Sequence, residues 1–206
     1  MQNFSEPAFR VKHPGLTMAS LLLGAFVGMF SETSLNIALP KLMLVFHTST
    51  AVLQWLVTGY MRVIGIVLPL SSLIAKWFTT RQIVIFALLD FIIGAAISAL
   101  APNFAVLLAG RMIQGIGTGL ILPLMFTIVM QIFPPKEIGS IMGICALVIM
   151  FAPAIGPTLT GLILAKLSWR WIFWSFEIFL VIALCLAVSA LENIGQPTRP
   201  HIDLLS

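Results

Sequence analysis

The stretch FAVLLAGRMIQGIGTGLILPLMFTIVMQI, residues Phe104–Ile132, decides what kind of molecule this is. It holds a single charged residue, Arg111, in a run longer than the about 20 apolar residues that a membrane span needs. Apolar and polar residues do not alternate along it. That excludes a barrel strand and leaves a helix, whose backbone groups are satisfied internally. Working outward, five further runs read the same way: Leu16–Leu39, Val52–Ala75, Ile83–Leu100, Ile138–Leu164 and Trp171–Leu191. Each is long enough to cross the hydrocarbon core at 1.5 Å per residue, the third only just. The pattern predicts an all-α integral membrane protein with six transmembrane helices.

Composition agrees. Of 206 residues, 60% are hydrophobic and 9% charged, and the mean hydropathy is +1.09. A soluble domain carries about 25% charged residues, so this chain cannot cover a water-facing surface. A soluble enzyme, a disordered regulator and a disulfide-stapled secreted domain are excluded. The net charge is +4, but the 11 Lys and Arg are scattered and form no basic cluster, so no nucleic-acid partner is expected. Cys145 and Cys185 both lie in apolar runs, 40 residues apart, and read as buried, inert thiols. His13, His47 and His201 fall outside the spans. An intramembrane serine protease would lack its base and a metalloprotease its paired histidines, so neither enzyme chemistry nor a metal is expected. No filter-like motif suggests a channel.

The connectors carry the expected punctuation. Pro40-Lys41 should end the first span, Ala101-Pro102-Asn103 makes a tight hairpin, and Pro134-Pro135 closes the fourth. Trp169, Trp171 and Trp174 read as an interfacial aromatic belt. With the N-terminus inside, the inner segments carry Arg10, Lys12, Lys76, Arg81, Lys136 and Arg199, and the outer ones Lys41, Lys166 and Arg170. The excess of basic residues on that side favours a multi-pass cell-membrane protein with both termini cytoplasmic. The expected organisation is a cytoplasmic segment 1–15, a six-helix body 16–191 and a cytoplasmic linker 192–206. The linker ends abruptly at Asp203-Leu204-Leu205-Ser206, as a truncated linker would.

Five ionisable residues lie within the spans: Glu32, Arg62, Asp90, Arg111 and Glu177. Each costs roughly 2.5–3.5 kcal/mol at a helix centre and wants a partner or a cavity. Glu32 should lie about 12 Å below Pro40, Arg62 about 15 Å and Arg111 about 10 Å into their inward-running spans. A cluster of Glu32 with one or both arginines is thus geometrically open. Asp90 reads as nearer the cytoplasmic side and Glu177 nearer the outer side, both as peripheral or snorkelling residues. Glycine placement is a second signal. Gly110–Gly119 carries four glycines, and the pairs Gly24/Gly28 and Gly139/Gly143 are spaced for close helix approach. Gly156-Pro157 should bend the fifth span.

Together these motifs resemble the N-terminal half of a major facilitator superfamily drug:proton antiporter, of the fourteen-helix multidrug exporter family of the lincomycin-resistance type. Glu32–Pro40 is similar to that family's first-helix motif, Gln54–Tyr60 to the start of its second helix, and Arg111–Gly117 to the fourth-helix motif whose arginine is linked to proton coupling. Gly143, Ala152, Gly156, Pro157 and Gly161 match the fifth-helix antiporter motif, with Ala152 and Thr160 standing where glycine is usual. Trp169–Phe173 matches the entry to the sixth helix. The resemblance covers about residues 15–206. It implies two three-helix inverted repeats, with the first and fourth helices lining a cavity.

The implied activity is efflux of cationic or amphipathic drugs against a proton gradient, with no cofactor. Glu32 would be the proton or cation acceptor, Arg111 would bias its charge state, and Asn36 and Gln114 would offer polar contacts. Gly143, Gly156, Pro157 and Gly161 would form the flexible antiporter helix. Departures accompany the match. In the loop after the second span, Ser72, Lys76 and Thr79 stand where the family has glycine, aspartate and basic residues, although Arg81 remains. Arg62 occupies an apolar position, as a selectivity element or a damaging substitution that competes for Glu32. Ile138 replaces a frequent arginine. The alternative expectation is therefore a truncated or half transporter, inactive alone and needing a second six-helix half beside the lipid bilayer.

Overall fold

The computed structural model describes Phe9 and residues 11–194. Arg10, Arg199, His201 and most of the expected linker 192–206 lie outside the described residues, as does most of segment 1–15. Among the described residues seven helices form: α1 (Pro14–Phe46), α2 (Thr50–Leu53), α3 (Trp55–Trp77), α4 (Thr80–Ala99), α5 (Phe104–Ile132), α6 (Pro135–Lys166) and α7 (Arg170–Ala190). The short α2 continues into α3 through Gln54, and together they make one of six helical segments long and apolar enough to cross a membrane.

Local chemistry sets the ends. Thr79 and Gln82 form a reciprocal capping box at the start of α4. Asn103 accepts from the Val106 backbone N–H to cap α5. The two prolines at 134 and 135 separate α5 from α6 as expected. Pro40 does not end α1. The helix runs through it to His47, which closes it in the left-handed region at φ 48°. Proline deletes one helix hydrogen bond, but Leu39 and Leu42 are buried on either side. Their packing carries the helix across the gap, as neighbouring helices commonly do in membranes.

The packing has an internal symmetry. Helix α5 packs on α4, α3 and α1, and α1 packs on α7, α6 and α5, while α4 also packs on α7. Exchanging the triplet α1, α3, α4 for the triplet α5, α6, α7 leaves this pattern unchanged. Each triplet crosses an odd number of times, so the two run in opposite directions. This is the expected pair of inverted three-helix repeats.

Hydrogen bonds tie the ends of the body. At one end Arg170 Nη2 donates to Ala101 O, and the Phe46 and Trp169 rings meet edge to face. At the other, Thr17 Oγ1 donates to Ala190 O, Arg81 Nη2 to Val188 O and Thr80 Oγ1 to Ile194 O. Trp169 is buried between Phe46 and Phe173, so only Trp171 and Trp174 keep the exposure of a belt residue. The Phe46 and Phe173 rings and the Arg170 guanidinium cover the Trp169 indole. Cys145 is buried as expected, but Cys185 is exposed because it lies on the outward face of α7.

Lipid tails are as apolar as leucine, so close fit rather than hydrophobic burial holds such helices together. The glycines of α5 show how. A Cβ on Gly110 would strike Ser98 Oγ, and one on Gly117 would lie 2.5 Å from Ala87 O, both on α4. A Cβ on Gly115 would lie 3.1 Å from Tyr60 O, and one on Gly119 2.9 Å from Val67, both on α3. One helix thus presents two smooth flanks to two neighbours. Gly24 and Gly28 of α1 likewise admit Ile121 and Thr118.

Helix α6 differs. Its buried residues, Cys145, Ala152, Gly156 and Thr160, form one narrow stripe against α1. Among the described residues, Gly139, Gly143 and Gly161 have nothing within 4 Å of a Cβ, so the expected close approach at Gly139/Gly143 does not occur there.

Candidate functional site

Arg111 is wholly buried. It leaves α5 on the side facing α1 and α3. Its Nη1 donates to Ser31 Oγ of α1 at 2.5 Å and to Gln114 Oε1, one turn on, at 2.6 Å. Its Nε reaches Leu56 O of α3 at 3.4 Å. The guanidinium carbon stands 3.9 Å from the centre of the Tyr60 ring. Tyr60 is fixed in turn: its hydroxyl donates to Gly28 O at 3.1 Å and shares a 2.8 Å bond with Thr118 Oγ1. Arg111 and Thr118 are seven residues apart and so share a face of α5, bracketing the tyrosine.

The cluster is polar, buried and incompletely satisfied. Arg111 Nη2, Gln114 Nε2 and Ser34 Oγ are buried without a hydrogen-bond partner among the described residues. A buried cation normally pairs with an anion and saturates its donors. Here neutral oxygens and an aromatic face hold the guanidinium, and one donor nitrogen is left over. Glu32 is the adjacent acid. It follows Ser31 on α1 and is half-buried, and its charge and that of Arg111 act on each other. No ion pair joins the two, and the Glu32 carboxylate accepts no hydrogen bond from the described residues.

The sequence-based candidates divide accordingly. Arg111 and Gln114 are hydrogen-bonded, and Glu32 adjoins them only as the α1 neighbour of Ser31. Asn36 is exposed one turn beyond Glu32, and its Nδ2 donates back to Glu32 O at 3.2 Å. Arg62 does not join them. It is exposed and points toward Trp55, 5.6 Å from that ring's centre. An exposed cation on a long stem lies along an apolar helix toward an indole rather than crossing a packed interior. Of the antiporter-motif residues, Gly156 is buried where a Cβ would strike Thr33 Oγ1 of α1. Gly143, Pro157 and Gly161 are exposed, away from the Arg111 cluster.

Two acids expected to be peripheral are not. Asp90 lies at the middle of α4 and is half-buried, and its Oδ2 accepts from the Gly117 backbone N–H of α5 at 3.0 Å. The glycine flank of α5 lets α4 come near enough for a short carboxylate to reach a helix backbone. Glu177 holds its Oε1 buried without a partner. Sequence reasoning also passed over Tyr60, Ser31 and Thr118 as site residues. The signal for Tyr60 was available: it is the one tyrosine of the chain, seated within an apolar run.

Known proteins converge on one family. The profile of the Major Facilitator Superfamily matches residues 21–202. The lincomycin resistance protein LmrB of Bacillus subtilis (strain 168) is 53% identical over 189 residues, covering 92% of this chain and 40% of that protein. LmrB of Listeria monocytogenes is 50% identical with the same coverage. A multidrug resistance protein B homolog of Mycobacterium tuberculosis (strain H37Rv) is 31% identical over 157 residues, covering 76% of this chain and 29% of its own length. The chain thus spans well under half the length of these relatives. Among solved structures, the proton:xylose symporter XylE bound to 6-bromo-6-deoxy-D-glucose has a TM-score of 0.77 at 18% identity, covering 88% of this chain and 45% of its own. A peptide transporter in complex with sulfate has a TM-score of 0.77 at 17% identity, covering 94% and 42%. At that identity the likeness is one of fold.

Proposed function

The chain belongs to the Major Facilitator Superfamily, a family of transporters rather than enzymes, and on that premise we propose that it is the N-terminal six-helix half of a proton-coupled exporter of cationic or amphipathic compounds. The observation that carries this reading is a buried Arg111 with one donor nitrogen unsatisfied among the described residues, bonded to Ser31, the α1 neighbour of Glu32. Ionised Glu32 is drawn toward the open Nη2, whereas protonated or cation-bound Glu32 is not. The Glu32 charge state therefore biases how α1 sits against α5. Alternation between two such arrangements is what coupling requires. The energy source is the proton gradient, and the chain's own residues hold the exchanging proton without a cofactor. The resistance described in the relatives' names supports drugs as the cargo. Lys76 at the end of α3, Arg81 at the start of α4 and Lys136 at the start of α6 support cytoplasmic termini.

The test is ΔpH-driven export of a fluorescent cationic dye by the chain reconstituted with a second six-helix half. Glu32→Gln is expected to abolish export while thermal melting of the purified protein stays unchanged. Undiminished export by Glu32→Gln overturns the reading.

A second reading has its own support. Helix α6 is buried along one stripe only, and Gly143 and Gly161 face away from the body. A partner half in a complete transporter would cover that face. The chain alone would then be inactive. Transport by a monodisperse six-helix monomer in liposomes would remove this alternative.

A further inference from the structure

Glu177 lies on α7 about 10 Å from its Arg170 end, on the border between buried Phe173, Phe176 and Leu180 and exposed Trp174 and Ile178. Its Oε1 is buried and accepts no hydrogen bond among the described residues. A cavity of about 410 Å³ opens beside it, lined by Ser168, Arg170, Trp171, Trp174, Glu177 and Ile178. It shares no residue with the Arg111 cluster. The one basic residue in the lining is engaged elsewhere. Arg170 donates from Nη2 to Ala101 O at 3.0 Å and stands 4.5 Å from the Trp169 ring centre. No ion pair joins Arg170 to Glu177.

We propose that this pocket binds the protonated primary amine of an amphiphile. A buried carboxylate oxygen without a donor is costly, so its ligand must bring one. Indoles attract cations through their ring faces, and two of them line the cavity. An N–H-bearing ammonium meets both demands, and a quaternary ammonium meets only the second. Ile178, in the lining and exposed, offers apolar surface for a hydrocarbon tail. Two sources share this chemistry: an aminophospholipid headgroup from the bilayer, and a soluble amphipathic amine. The site goes beyond the transport reading and does not depend on it.

The test is binding to the purified chain by native mass spectrometry, in two arms. In detergent, dodecylamine is expected to bind about tenfold more tightly than dodecyltrimethylammonium, and Glu177→Gln is expected to erase that preference. In nanodiscs of mixed phosphatidylethanolamine and phosphatidylcholine, retention of phosphatidylethanolamine that is lost in Glu177→Gln assigns the site to the lipid headgroup. Selectivity for dodecylamine without lipid retention assigns it to soluble amines. Trp174→Ala is expected to weaken binding of both amines while Trp174→Phe largely preserves it. This pair keeps the test decisive if a Glu177 variant misfolds. Equal binding of the two amines, selectivity unchanged in Glu177→Gln, or binding of both amines unchanged in Trp174→Ala overturns the proposal.

Discussion

The Arg111 guanidinium carbon stands 3.9 Å from the centre of the Tyr60 ring, deep in the body, with no carboxylate in contact. An aromatic face and neutral oxygens do the work that a counter-ion usually does. A desolvated cation–π contact is worth about 2 kcal/mol or more. Tyr60→Phe keeps the ring and loses the hydroxyl bonds to Gly28 O and Thr118. It is expected to destabilise by about 1–3 kcal/mol. Tyr60→Leu loses the ring as well and is expected to cost more. Denaturant unfolding in detergent would rank the two, and equal cost would show that the ring contributes nothing beyond its bulk.

The glycines of α5 and α6 separate by packing. Gly117→Ala sets a methyl against the Ala87 carbonyl, which is backbone and cannot rotate away. A loss of about 1–3 kcal/mol is expected from overpacking. Gly143→Ala and Gly161→Ala meet nothing among the described residues. They are expected to leave its melting temperature unchanged or slightly raised, since alanine favours the helix. A fall in either variant comparable to that of Gly117→Ala would mean that α6 packs differently.

Asp90 clamps α4 to α5 through a backbone N–H rather than a side chain. Asp90→Asn retains an acceptor oxygen and is expected to be mild. Asp90→Leu leaves the carboxylate bond unmade and is expected to cost about 1.5–3 kcal/mol. Hydrogen exchange at the middle of α5 reports the clamp directly. Faster exchange around Gly117 in Asp90→Leu is the expected result, and unchanged exchange would mean the bond contributes nothing to α4–α5 docking.

Arg62 lies outside the buried cluster and faces Trp55. Arg62→Leu is expected to change stability by less than about 1 kcal/mol, the range of an exposed cation–π pair. In the reconstituted two-half transporter it should leave Glu32-dependent coupling intact. A coupling defect in this variant would restore the idea that Arg62 competes for Glu32.

What the sequence made legible follows from what membranes demand. The span Phe104–Ile132 was readable to its end residues because Asn103 and Pro134 punctuate it. The six-fold repetition of apolar runs gave the architecture. The first span was misjudged at Pro40, because proline's local penalty is visible in sequence and the packing of Leu39 and Leu42 that overrides it is not. Asp90 was misplaced for a related reason: its partner is a backbone amide on another helix, which has no residue type to announce it. Arg111 was legible as a lone buried cation, but its aromatic support was not, since Tyr60 and Arg111 are distant in sequence and meet only through the α3–α5 packing.

The two bare flanks of α5 have a mechanical consequence. Where side chains interlock, a helix pair has discrete registers, and moving between them requires rotamers to unlock. At Gly110 and Gly117 on one flank and Gly115 and Gly119 on the other, α5 contributes no tooth of its own, while Val63 and Val67 of α3 reach into the second flank. On the α4 flank much of the contact is with the Gly94 and Ala87 carbonyls, and such backbone contact varies gently with displacement. What fixes the register of this seam is therefore the set of directed bonds that cross it, the Gly117 N–H bond to Asp90 and the Arg111 bonds to Ser31 and Leu56.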